Sequence, residues 1–145
     1  MGLKRTSHAV YEAKYHLVWC PKYRRKLEWG GAKVRLEEIF KKIGRDFEVE
    51  IEAMEVGEEH IHFLVNFPPR YSIAKVVGIF KSISASKMFK EYEWLKEELW
   101  GGELWEDGYF ARTVGNQVTS EIIKKYIENH AELERAPTQL EFELG

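Results

Sequence analysis

His60-Ile61-His62-Phe63-Leu64-Val65-Asn66-Phe67 sets Ile61, Phe63, Val65 and Phe67 in alternation with His60, His62, Leu64 and Asn66, the period-two pattern of a half-buried strand. Alternate side chains leave a strand on opposite faces, so both imidazoles point one way and the aromatic and branched residues the other. Two neutral imidazoles on one rigid strand supply two-thirds of a metal site. The same placement also suits two polar residues on a solvated sheet face, and the choice between them falls to the rest of the chain.

Working outward, Phe47, Val49, Ile51 and Ala53 alternate with Glu48, Glu50 and Glu52, which predicts a preceding strand. Gly57-Glu58-Glu59 then forms the turn of a hairpin. Upstream of that strand, Leu36, Ile39, Phe40, Ile43 and Phe47 recur at three and four residues after Gly30-Gly31, giving an amphipathic helix over roughly 32–45. Ala9 to Trp19 alternates again, with Tyr11, Ala13, Tyr15, Leu17 and Trp19 on one face and Glu12, Lys14, His16 and Val18 on the other. It reads as a long first strand, ended by Pro21 and followed by the basic loop Lys22-Tyr23-Arg24-Arg25-Lys26.

Downstream, Pro68-Pro69 closes the histidine strand, and Ser72 is placed to cap a second helix carrying Ile73, Val76, Val77, Phe80 and Ile83. Its other residues, Lys75, Lys81, Ser82, Ser84, Ser86, Lys87 and Lys90, predict an exposed side. After the loop around Gly101-Gly102, Leu104 to Val114 predicts the last strand, and Gly115-Asn116 breaks it. A final helix over about 118–132 carries the rows Ile122, Tyr126, His130 and Ile123, Ile127, Ala131 at i+4 spacing.

The order strand, helix, strand, strand, helix, strand, with one extra helix, is that of the ferredoxin-like split βαβ fold, an α+β class with an antiparallel sheet. Right-handed crossovers place both inner helices on one face, which must be the Ile61/Phe63/Val65 side because those residues need cover. The histidines then lie on the open face, which only the final helix remains to reach. One domain over 1–145 is expected, with a core of about 8–131 and an acidic tail over 132–145.

The chain has 145 residues, 44% hydrophobic and 14% aromatic, enough for a hydrophobic core and unlike a disordered composition. No apolar run approaches the roughly 20 residues of a membrane span, and the first residues lack a signal peptide's apolar stretch. With a lone Cys20, which cannot form an internal disulfide, a cytoplasmic protein is expected. The net charge of −2 hides sorting by segment: about +7 over residues 1–47, −6 over 48–69 and +4 over 70–96. Basic ground for phosphates is therefore compatible with an acidic total, although ordinary solvated faces give the same sorting.

Tyr126 with His130 one turn later would bring a phenol and a third ligand to the open face. A phenol, with a pKa near 10, is a weak nucleophile at neutral pH. It becomes useful when a metal polarises a bound electrophile such as a phosphodiester. The product would be a covalent phosphotyrosine that conserves bond energy for rejoining. The same residues suit a packing tyrosine and a histidine that complements a helix end. Cys20 beside His16 reads as a small buried hydrophobe rather than a thiol nucleophile.

Tyr15-His16-Leu17-Val18-Trp19 with Lys22-Tyr23-Arg24-Arg25, His60-Ile61-His62, Leu99-Trp100-Gly101-Gly102 with Trp105 and Gly108-Tyr109-Phe110, and Val114-Gly115-Asn116 followed by Lys124-Lys125-Tyr126-Ile127 closely resemble the single-tyrosine HUH transposases. The resemblance runs over about 8–131. It implies a DNA transposase that cuts and rejoins single-stranded DNA at insertion-sequence ends, recognises DNA hairpins, and passes through a 5′-phosphotyrosine on Tyr126. It further implies a Mg²⁺ or Mn²⁺ ion held by His60, His62 and a third side chain. A homodimer is implied too, in which the tyrosine helix can complete the partner's site, with Gly115-Asn116 as hinge. The family commonly has Gln where this chain has His130, and a three-nitrogen site favours softer ions such as Mn²⁺ or Zn²⁺ over Mg²⁺.

Arg24, Arg25 and Lys26 are the first candidates for DNA contacts, with Lys81 and Lys87 next. Two further readings stay open: a host-adapted nuclease acting on repeated hairpins, and a non-catalytic nucleic-acid-binding ferredoxin-like module.

Overall fold

The computed structural model describes residues 3–5, 10–11, 13–99, 102–115, 122–125 and 127. Two short strands, β1 (Lys4–Arg5) and β2 (Val10–Tyr11), pair with each other. Strand β3 (Lys14–Trp19), helix α1 (Ala32–Asp46), strands β4 (Glu50–Val56) and β5 (Ile61–Asn66), helix α2 (Ile73–Glu91), the short helix α3 (Glu93–Glu98) and strand β6 (Phe110–Val114) follow. Strands β3 to β6 form one antiparallel sheet in the order β4-β5-β3-β6. This is the expected ferredoxin-like α+β architecture.

Both long helices cover the predicted face. Leu36, Ile39, Phe40 and Ile43 of α1 meet Val76, Val77 and Phe80 of α2 over Leu17, Trp19, Ile61, Phe63 and Val65 of the sheet. Phe63 sits at the middle, with Trp19 stacked on it at 4.9 Å and Phe40 edge-on at 4.9 Å. Ser72 caps α2 as its position predicts, its Oγ accepting a 3.0 Å hydrogen bond from the Lys75 amide and so satisfying one of the orphaned N–H groups of the first turn. The opposite face carries a second, smaller cluster. Ala53, Leu64 and Val114 from three strands are buried with Ile123 and Ile127, and residues 122–125 and 127 are helical. Of the rows predicted for the final helix, Ile123 and Ile127 are thus buried on the open face, whereas Ile122, of the Tyr126 row, is exposed.

Four expectations change. The long first strand is interrupted, because Val10–Tyr11 pairs with Lys4–Arg5 and only Lys14–Trp19 joins the main sheet. Ala53 faces the open side rather than the α1/α2 core: pairing shifts between Ile51 and Ala53, and an extra residue at a bulge turns every following side chain to the other face. The last strand begins at Phe110, not Leu104. Leu104 and Trp105 instead run beside the end of β3, where the Lys22 amide donates to Leu104 O at 2.8 Å and the Glu106 amide to Cys20 O at 2.9 Å. Ser84, expected on the exposed side of α2, is buried and accepts a 2.9 Å hydrogen bond from Trp105 Nε1. Helix α3 had no periodic signal in so short a segment. No helix among the described residues is long and apolar enough to cross a membrane.

Gly44 marks a tight contact between α1 and β4. A Cβ there would lie 2.7 Å from Val49 O, whose own amide donates to Gly44 O at 2.8 Å. Gly44→Ala should destabilise the fold by about 1–3 kcal/mol through overpacking, and Ser72→Ala by about 1 kcal/mol through loss of the cap. Urea unfolding checks both, and an unchanged midpoint for Gly44→Ala would refute the close approach.

Candidate functional site

Alternation along β3 and β5, together with their register, builds the open face in rows. His16 lies opposite Leu64 and Arg112, while Val18 lies opposite His62 and Phe110. His16, His62 and Asn66 are all buried there. His60 precedes β5 by one residue, and its ring centroid is 6.1 Å from that of His62 with the planes tilted by 51°. An imidazole nitrogen binds a cation at about 2 Å, so two rings sharing one ion have centroids within about 6.5 Å of each other. At 6.1 Å the pair lies just inside that limit. Among the described residues no third His, Cys, Asp or Glu joins them. Tyr126 and His130 lie outside the described residues, but Ile123 and Ile127 are buried in one cluster with Ala53, Val114 and Leu64, the last two residues along β5 from His62.

The sequence places His16 on the polar face of the first strand and within the Tyr15–Trp19 motif without giving it a role at the site, yet it is the group that touches His62. Its Nε2 is 3.3 Å from His62 Nδ1, and the rings stack at 5.5 Å with 21° between planes. Burial, and then the nearby Arg112 guanidinium, push its pKa down to about 4, so the ring is neutral at physiological pH. The signal that could have found it was present: strand alternation puts His16 on the same face as His62. Around this pair, His16 Nδ1, both amide atoms of Asn66 and Arg112 Nη1 are buried with no hydrogen-bond partner among the described residues. On the other side of His62, Glu55 is its partner in β4. Burial raises the Glu55 pKa, against the opposing pull of Lys33, whose Nζ is 3.7 Å away.

The candidate DNA-contacting residues are dispersed. Arg24 ends a single helical turn over Lys22–Arg24 in which Tyr23 takes a positive φ of 62°, and its side chain lies outside the described residues. Arg25 Nε pairs with Glu98 Oε1 at 2.9 Å and Lys26 Nζ with Glu58 Oε1 at 3.4 Å. Exposed pairs of this kind are weak and exchange readily for another anion. Lys81 is half-buried, its Nζ donating to Glu106 O at 2.8 Å and Gly108 O at 2.7 Å, and burial lowers its pKa. It buttresses the loop leading into β6. Lys87 is exposed and lines a cleft of ≈ 550 Å³ with Ser82, Ile83, Ser86, Lys90 and Glu91.

The depressed His16 pKa has a defined sign in folding. Between its unfolded value of 6.5 and about 4, the unfolded chain binds a proton that the native state refuses. Stability is therefore full above pH 6.5 and falls as the pH drops toward 4. In chelator-treated protein, wild type should lose up to about 3 kcal/mol across this window relative to His16→Gln. Urea unfolding of both proteins at stepped pH measures the difference, and parallel pH profiles would refute it.

A family model for IS200-like transposases matches residues 9–130. The ISDra2 transposase TnpA of Deinococcus radiodurans is 37% identical over 134 residues, which covers 92% of this chain and 95% of that protein. The transposase for insertion sequence element IS200 of Salmonella typhimurium is 31% identical over 137 residues, covering 94% of this chain and 89% of that one. A crystal structure from Deinococcus radiodurans described as a transposase superposes with a TM-score of 0.70 at 33% identity, covering 87% of this chain and 96% of that one. A REP-associated tyrosine transposase solved with a REP hairpin shares the fold with a TM-score of 0.64 at 14% identity, over 90% and 73% of the two chains. A matched family model over most of the chain, near-complete coverage by relatives above 30% identity and the superposition at 33% identity together make this chain a member of the IS200-like transposase family.

Proposed function

We propose that this transposase cuts and rejoins single-stranded DNA at insertion-sequence ends, with Tyr126 as nucleophile. The observation that carries the reading is the seating of Ile123 and Ile127 on the sheet face that holds His62. Tyr126 stands between them in sequence and His130 follows four residues later, so a helical course there would set the two one turn apart. His60, His62 and His130 would hold a divalent cation, Mg²⁺ or Mn²⁺, with a softer ion favoured by the third imidazole. Such an ion supplies charge neutralisation at the scissile phosphate.

The chain's own residues do the rest. The Tyr126 hydroxyl oxygen bonds to phosphorus as its proton leaves; the bond from phosphorus to the 3′-oxygen breaks, and that oxygen takes up a proton. A 5′-phosphotyrosine and a 3′-hydroxyl result. Attack by an incoming 3′-hydroxyl reverses these steps and returns the phenol, so no external energy source is needed.

Hairpins in the DNA, a homodimer whose tyrosine helix can complete the partner's site, and a cytoplasmic location belong to the same proposal. The exposed Arg25 and Lys26, with Arg24 beside them in sequence, and Lys87 on α2 are its candidate phosphate contacts. Hairpin recognition draws on the shared fold, which in one neighbour carries a REP hairpin. Relatives named for insertion sequences favour an element-borne transposase over a host-adapted nuclease.

Mixing the full chain with an end-labelled single-stranded element end and Mn²⁺ should give a protein–DNA adduct that survives denaturing electrophoresis. Tyr126→Phe and chelation should each remove it, while Tyr126→Phe retains hairpin binding. An adduct persisting in Tyr126→Phe would sink the assignment. Hairpin binding with no adduct from wild type would favour a non-catalytic module.

A further inference from the structure

The open face holds one more imidazole than the metal reading uses. His16 is buried, and its Nε2 lies 3.3 Å from His62 Nδ1. A hydrogen bond between two neutral imidazoles takes one N–H and one lone pair, so only two arrangements exist. If His16 Nε2 donates, the His62 proton must sit on Nε2, and that nitrogen has no lone pair for a cation. If His62 Nδ1 donates, its Nε2 carries the lone pair and can ligate.

We propose that His16 is a positioning residue, accepting the His62 Nδ1 proton and thereby holding His62 in the tautomer that ligates the divalent ion through Nε2. The inference rests on the metal reading above and adds to it the residue that orients one ligand. Ligating histidines ordinarily give their second N–H to an outer partner that fixes ring and tautomer. Here that partner comes from β3, next to β5 in the sheet, where residues 16 and 62 are brought together by a register that pairs Val18 with His62 and His16 with Leu64. The rings lie near parallel with 21° between planes, and both strands are held by sheet hydrogen bonds, so the contact is built into the scaffold. The assignment also puts the proton of His16 itself on Nδ1, an atom without a hydrogen-bond partner among the described residues, so each ring has a definite expected tautomer.

Two measurements on the full chain test this. Nitrogen-15 NMR of the imidazoles in metal-free wild type should find His62 as the Nδ1–H form; the Nε2–H form would overturn the proposal without recourse to any variant. Mn²⁺ binding, followed by the electron paramagnetic resonance of the free ion, should weaken about 10–100-fold in His16→Phe. His16→Gln, whose side-chain oxygen can accept from His62 Nδ1, should bind near the wild-type level. Hairpin binding in chelator should be alike in all three proteins, as a merely structural lesion would not allow. Wild-type affinity in His16→Phe overturns the role of His16 alone. Failure of wild type to bind Mn²⁺, or binding untouched by His62→Ala, overturns the metal reading and the inference with it, and is recognised without any substitution at position 16.

Discussion

Every residue of β5 from Ile61 to Asn66 is buried, so this strand has no solvent face. Each side chain on it must suit one of two enclosed environments, and the alternation assigns them strictly. Ile61, Phe63 and Val65 enter the layer shared with α1 and α2, where Phe40, Phe63, Phe80 and Trp19 meet ring to ring. His62, Leu64 and Asn66 enter the other layer, with His16 and Val114 from neighbouring strands. The first layer supplies most of the apolar burial that stabilises the fold. The second is thinner and is closed by Ile123 and Ile127.

Burial on both sides explains why polar groups in the second layer behave as they do. Inside a layer that excludes water a charged imidazole is costly, and the positive Arg112 beside His16 raises that cost further. His16 is thus kept neutral and able to share a hydrogen bond with His62. Neutrality is also the state in which an imidazole can ligate a cation. In such a layer the same exclusion of water that costs folding energy strengthens each polar interaction inside.

The segmental charge sorting takes on a different meaning in three dimensions. The basic loop after β3 folds against acids from distant segments, with Lys22 on Glu103, Arg25 on Glu98 and Lys26 on Glu58. Arg35 similarly forms a paired fork with Glu91, which lowers the pKa of that carboxylate. A run of like charge in sequence is therefore compensated through space. The surface offered to a phosphate is a set of exchangeable ion pairs rather than a bare positive stripe.

The periodic elements were legible in the residues themselves. The 3.6-residue rows of α1 and α2, the cap at Ser72, the hairpin turn at residues 57–59 and the two-faced histidine strand all depend on local geometry that repeats along the chain. So did the deduction that the last helical segment would cover the histidine face, since an apolar row must find cover somewhere. The bulge that turns Ala53 over, the burial of Ser84 under Trp105, the service of Lys81 as a loop strut and the meeting of His16 with His62 were not legible in this way. Each joins residues 20 or more positions apart or turns on a register shift of one residue. Sequence alone determined which elements form and which side of each is apolar, because periodicity is a property of neighbours along the chain. Only the tertiary structure decided which buried polar atoms touch, because strand register sets those distances and no local pattern encodes it.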